Sequence, residues 1–207
     1  MKRIAIVGGG GHGKVCASIA EQLGYEIYFF DDHYPSIKTC GKWHVIGNTE
    51  SLQRSLNDFD SAFVAIGNNV VRLAIQLKLE LAKLPIANLI SPSSSVHETV
   101  KLGSGILVVG NACINIDSVI SDGCIVNTNS SIDHDCKLDR FCHISPGVSL
   151  AGEVTVGELT WVGIGSSVIQ QTSIGSEVMV GAGSVVIDNI PNGLTVVGCP
   201  AKVIKYK

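Results

Sequence analysis

The stretch "VNTNSSIDHDCKLDRFCHIS", residues 126–145, sets His134 and His143 nine positions apart among small polar and acidic side chains. His134 stands between Asp133 and Asp135. A carboxylate that holds one ring nitrogen leaves the other as a proton acceptor, and a reference pKa of about 6.5 suits an imidazole to general-base work near neutrality. A second piece of chemistry lies near the start, in "GGGGHGKV", residues 8–15. There Gly8, Gly10 and Gly13 satisfy G-x-G-x-x-G, and Asp31 and Asp32 end the next apolar run. Such a loop offers backbone N–H groups to phosphates at a helix N-terminus.

The elements that must position the glycine loop alternate between strand and helix. "RIAIV" is a β-branched run, "KVCASIAEQLG" has apolar residues at helical spacing and a glycine stop, and "EIYFFDD" is a second strand. "SAFVAIG" is a third strand and "VVRLAIQLKLELAKL" the helix after it. The pattern predicts a Rossmann-like parallel α/β domain over residues 1–88, roughly half of a doubly wound fold and sized for one mononucleotide. "AIGNN", residues 65–69, follows the third strand. Ligands gather at the carboxyl ends of such strands, so Gly67 and Asn68 are expected to wall the same cleft.

From residue 89 to 207 the pattern is different. Every sixth residue from Ile90 through Val96, Leu102, Val108 and onward to Val186 is aliphatic, seventeen times without a slip. Four places after these come small residues such as Ser118, Cys124, Ser130, Cys136, Cys142, Thr160, Ser166 and Ser184. This is the hexapeptide repeat of a parallel β-helix. Three hexads close a triangular coil of 18 residues, with aliphatic side chains inward and coils stacked at ~4.8 Å.

The period constrains the histidines. Cys136 and Cys142 occupy the small inward position and read as packed thiols, whereas His134 and His143 should both point away from the core. Adding 18 places Gly152 one coil above His134, where a bare backbone admits a ligand and offers an N–H to an oxyanion. Nine residues are half a coil, so the two histidines of one chain face different sides of the prism. Both can serve one site only if solenoids pack around a threefold axis.

Composition narrows the rest. A net charge of −3 with scattered Lys and Arg gives no footprint for nucleic acid or anionic membrane. The seven cysteines follow no C-x-x-C spacing and are odd in number, as expected of reduced thiols in a cytoplasmic protein without a structural metal. The apolar part of "MKRIAIVGGGG" is too short for a signal peptide or a membrane span.

The hexads, the "IDHD" histidine and the ending "VVGCPAKVIK" resemble the left-handed β-helix acyltransferases that use acetyl-CoA. With "GGGGHGKV" and "FFDD" added, the chain resembles, nearly end to end, the bacterial sugar acetyltransferases that make diacetylated bacillosamine. That family includes sialic acid O-acetyltransferases and perosamine N-acetyltransferases. The resemblance implies that His134 is a general base, assisted by Asp135 where many relatives carry Glu. It places Gly10, Gly11, His12 and Gly13 near the phosphates of a UDP-sugar, Asp31 and Asp32 near its nucleoside, with Gly67 and Asn68 beside them. It sets Asn127, His143, Gly152, Ile164, Ala182 and the segment from Pro200 to Lys202 against acetyl-CoA, a co-substrate rather than a resident cofactor. It implies a homotrimer with acetyl-CoA in the grooves between subunits, acting in the cytoplasm on glycan precursors.

Other readings stay open at this stage. An O-acetyltransferase shares every feature above. A zinc enzyme on the same β-helix needs two histidines five residues apart, a spacing absent from His97, His134 and His143. A dehydrogenase needs a hydride-transfer domain, for which no segment remains. A non-enzymatic scaffold would bind the nucleotide sugar and release no CoA thiol.

Overall fold

Lys2–Val7 (β1) is apolar on both faces from Ile4 onward, and those side chains are buried, as in a parallel strand covered on both sides. It pairs in parallel with Tyr25–Phe30 (β2) and with Ser61–Val64 (β5). The crossover helix Gly11–Gln22 (α1) buries Cys16, Ala17, Ile19 and Ala20. In the computed structural model, which describes residues 1–206, two more strands extend this sheet. Thr39–Cys40 (β3) and Trp43–Gly47 (β4) form a hairpin, and the sheet order is β3-β4-β2-β1-β5. The helices Thr49–Arg54 (α2) and Asn69–Leu81 (α3) bring Leu52 and Leu79 onto a core of Val7, Phe30, Phe59 and Val64.

This first compact unit runs from Met1 to Pro92 and the second from Ser93 onward, four residues later than the division drawn from the sequence. The chain after α3 is still tied to β5: Ala62 N–H donates to Pro85 O, and Ala87 N–H to Ala62 O.

From Ser95 to Val186 the second unit is built from two-residue strands whose partners are 18 apart, as in Ser131↔Ser149 and Val126↔Ile144. They form three parallel faces. The first runs from Ser95–Val96 to Val185–Val186, the second from Lys101–Leu102 to Ser173–Ile174. The third runs from Leu107–Val108 to Met179–Val180 and is extended by Leu194–Val197 and the antiparallel Lys202–Tyr206. The sixth-residue aliphatics from Val108 to Val186 are all buried, while Val96 and Leu102 in the first coil are half-buried.

Two corner devices set this period. From Gly105 to Gly183 every sixth residue has φ between +55° and +69°, including Asn111, Asp117, Asn129, Asp135, Phe141 and Leu159. Left-handed backbone costs an ordinary L-residue about 1–2 kcal/mol, so the coil tolerates strain at Phe141 and Leu159 to keep its turn. One place further on, the small inward residue hydrogen-bonds to the next coil. Ser118 Oγ donates to Asp133 O (2.8 Å), Thr160 Oγ1 to Gly175 O (2.6 Å) and Ser166 Oγ to Gly181 O (3.0 Å). Cys136 and Cys142 use their thiols in the same way, on Ala151 O and Gly157 O. All seven cysteines are free thiols.

Thr160 also accepts from Val178 N–H (3.0 Å), so its hydroxyl satisfies two buried backbone groups. Thr160→Val keeps the volume and removes both bonds. It should lower stability by about 1–3 kcal/mol, read as a lower urea midpoint with unchanged m. An unchanged midpoint would show that the corner hydroxyls only fill space.

Candidate active site

His134 lies in the corner between the first and second faces, immediately before the left-handed residue Asp135 (φ 57°). That turn brings the Asp135 carboxylate back onto the ring, where Oδ2 lies 2.8 Å from Nδ1 of His134. A side chain as short as Asp therefore suffices here. Asp133 does a different job: its Oδ1 accepts from the His134 backbone N–H (2.9 Å) and from Asn115 Nδ2 (3.1 Å). These two bonds hold its carboxyl below the usual range. The Asp135 hydrogen bond, and then the charges of Asp133, Asp135 and Glu153, raise the His134 pKa above its ordinary value.

With Nδ1 engaged, Nε2 is left over the backbone of the next coil. A Cβ at Gly152 would overlap the His134 imidazole at Nε2, so glycine is what lets the ring lie there. Among the described residues no acceptor takes the Gly152 N–H. A groove of about 440 Å³ runs from Asn115 and Asp133 past Ala151 to Ile169, floored by Ser131, Ser149 and Ser167 of the first face. A proton acceptor, a backbone donor and an open channel thus share one edge of the prism.

His143 is on the third face, the side opposite that corner. It does point away from the core, yet it is buried, with 6% of its surface exposed. Coil stacking explains this: Trp161, 18 residues on, lies against the ring with centroids 4.5 Å apart, and Asn127 Nδ2 is 3.2 Å from Nε2. Ile164 and Ala182 are exposed in the corner between the third and first faces and are stacked through Gly183 N–H to Ile164 O. Pro200 is exposed in the tail, and Lys202 borders a separate small hollow at the end of the solenoid.

The first unit has its own cleft, of about 360 Å³, at the carboxyl ends of β1, β2 and β5. Gly10, Gly11, His12, Asp31, Asp32 and Gly67 line it. Gly13 and Asn68 do not. A Cβ on Gly13 would overlap the Gly8 carbonyl, so this glycine serves helix–loop packing, and Asn68 caps α3 by accepting from Val71 N–H (3.0 Å). Burial tends to raise the Asp31 pKa, but hydrogen bonds from the backbone N–H groups of His33 and Gly9 outweigh it and leave the carboxyl below its usual range. Burial, then the nearby Arg72 charge, lowers His12 to about 4, so its ring is neutral. Sequence reasoning missed His33, Thr49 and Ile75 in the lining. No group of three His, Cys, Asp or Glu among the described residues is arranged to hold a metal ion.

A family profile described as the PglD N-terminal domain matches residues 3–79. UDP-N-acetylbacillosamine N-acetyltransferase of Bacillus subtilis (strain 168) is 37% identical over 114 residues, 53% of this chain and 52% of that one, so the match spans about half of that relative. The acetyltransferase domain of PglB from Neisseria gonorrhoeae is 41% identical with a TM-score of 0.95, over 99% of this chain and 100% of that one. That domain has also been solved with acetyl coenzyme A. PerB from Caulobacter crescentus, solved with CoA and GDP-perosamine, is 35% identical with a TM-score of 0.94, over 99% and 98% of the two chains. The fold is thus a Rossmann-like unit followed by a left-handed β-helix. The chain belongs to the family of nucleotide-sugar acetyltransferases that these proteins represent.

If the Asp135 contact sets the basicity of His134, its ring should titrate above pH 6.5, as followed by NMR. Asp135→Asn removes a negative charge that favours the imidazolium, so the midpoint should move down. A midpoint that stays in place would assign the shift to other charges.

Proposed function

We propose that the protein moves the acetyl group of acetyl-CoA to the amino group of a UDP-linked amino sugar, of the 4-amino-4,6-dideoxy-N-acetylhexosamine type. The observation that carries this reading is the His134–Asp135 pair beside the Gly152 backbone, in a chain that aligns end to end with acetyltransferase structures. The sugar amine attacks the thioester carbon, the C–S bond breaks and the CoA thiolate leaves. His134 Nε2 takes the amine proton and returns it to the thiolate sulfur. The Gly152 N–H faces the oxyanion of the tetrahedral intermediate. UDP, rather than the GDP carried by the PerB substrate, is favoured by the B. subtilis relative's name. The nucleotide occupies the first-unit cleft, its phosphates at the N-terminus of α1. We assign the reaction to the cytoplasm, as the use of a nucleotide sugar and acetyl-CoA suggests.

His134→Ala should lower kcat by about 10²–10⁴, the usual contribution of a general base, with acetyl-CoA binding retained. Near-normal turnover from pH 6 to 8 would remove His134 from the mechanism.

A corner and the face opposite it cannot reach one acetyl group in a single solenoid. We therefore assign the active unit to a homotrimer, in which His134 of one subunit meets the His143 edge of the next. Mixing His134→Ala and His143→Ala chains after dissociation should create some sites with both histidines and recover part of the lost activity. Mixed trimers showing only the parental average would leave His143 as a packing residue beside Trp161.

At Gly11 a Cβ meets nothing within 4 Å, so the fold itself accommodates Gly11→Val. The added side chain fills the cleft. KM for the nucleotide sugar should rise roughly tenfold, about 1.4 kcal/mol of binding, with KM for acetyl-CoA unchanged. Equal effects on both substrates would move the nucleotide elsewhere.

A further inference from the structure

Arg72 is the largest fully buried side chain of the molecule, 1% exposed on a helix whose outer face is apolar. Burying a guanidinium costs several kcal/mol unless its donors are satisfied. Three of its hydrogen bonds converge on the turn that leads into α3. Nη1 donates to Ile66 O (2.9 Å) and Gly67 O (3.2 Å), and Nη2 to Asn69 Oδ1 (2.8 Å). Ile66 and Gly67 line the nucleotide cleft.

Peptide geometry gives this a consequence. In a trans peptide the N–H points opposite to the preceding C=O. Drawing the Ile66 and Gly67 carbonyls down to the guanidinium therefore turns the Gly67 and Asn68 N–H groups away from it. Neither N–H has an acceptor among the described residues, and a Cβ added at Gly67 would meet nothing within 4 Å. The fixed charge also lies close enough to His12, in the first turn of α1, to depress its basicity, so it acts on both walls of the cleft. We infer that Arg72 is a positioning residue for nucleotide recognition: it orients the two peptides flanking Gly67, which itself lines the cleft, into a second set of donors for the substrate diphosphate, opposite those of α1. This deepens the assignment of nucleotide to that cleft and rests on it. The chemical class recognised is a nucleoside diphosphate, through its phosphates and not its base.

The test compares UDP and uridine binding, by calorimetry on the full chain, in wild type, Arg72→Lys and Asn69→Ala. Lys keeps the charge but cannot span both carbonyls, and Asn69→Ala frees one end of the guanidinium while leaving the charge in place. The expected result is a tenfold or greater loss of UDP affinity in Arg72→Lys and a smaller loss in Asn69→Ala. Uridine affinity and KM for acetyl-CoA should be unchanged in both. Full UDP affinity in Arg72→Lys would overturn the inference, since charge alone would then suffice. So would parallel losses of UDP, uridine and thermal stability, the pattern of a merely structural role. Should Arg72→Lys not fold, Asn69→Ala alone decides by the same ratio of UDP to uridine affinity. Failure of the wild-type protein to bind UDP or GDP would instead strike the cleft assignment itself and carry this inference with it.

Discussion

Coil stacking is the constraint on which the second unit depends. Each strand of the coils is two residues long and has no stability of its own, so the inward aliphatics find their neighbours one coil above and below. Fixing the repeat at 18 requires a corner of constant shape, and the left-handed residue at every sixth position supplies it. At several corners a buried hydroxyl or thiol then bonds to the coil above. Register, turn and hydrogen bonding all specify the same geometry, so the backbone fixes where each edge side chain starts and which neighbours it can reach.

His134 shows what that precision provides. Its ring is oriented from below by a carboxylate one residue away and lies against bare backbone from above. Both supports follow from the coil: the turn at Asp135 aims the carboxylate, and Gly152 is one repeat away. A half-exposed histidine on an ordinary loop would have neither. The raised basicity has an opposing side. It makes the ring a stronger proton acceptor while enlarging the fraction already protonated near neutrality, so a free Nε2 is more abundant on the alkaline side of that titration.

Much of this was legible in the sequence, because a six-residue aliphatic period has one physical solution. The corner strain was less so, since Phe141 and Leu159 hide among Gly, Asn and Asp at the same position. The burial of His143 needed only the step of adding 18 to reach Trp161. In the first unit, β3 and β4 escaped because they are short, hinge on a two-residue turn at Gly41 and Lys42, and expose Lys42 and His44. Gly13 matched a phosphate-binding motif, whose last glycine is there for close packing of helix on strand. Arg72 gave a faint signal: a cation in an otherwise apolar helical stretch, on the face that turns inward.

The corner spacing also governs how such a chain can change length. In an ordinary domain a surface loop absorbs a residue or two with little harm. Here one residue added within a hexad between Val108 and Val186, unless it loops out at a corner, puts every later aliphatic out of phase with the interior. Six added residues restore the inside but turn the remaining edges by a third of the prism, separating His134 from its glycine if they fall between them. Within the hexads themselves, only a whole coil inserts silently. Descent within this fold should therefore proceed in units of eighteen, and two relatives whose solenoids differ by one coil can keep the same chemistry at different heights along the prism.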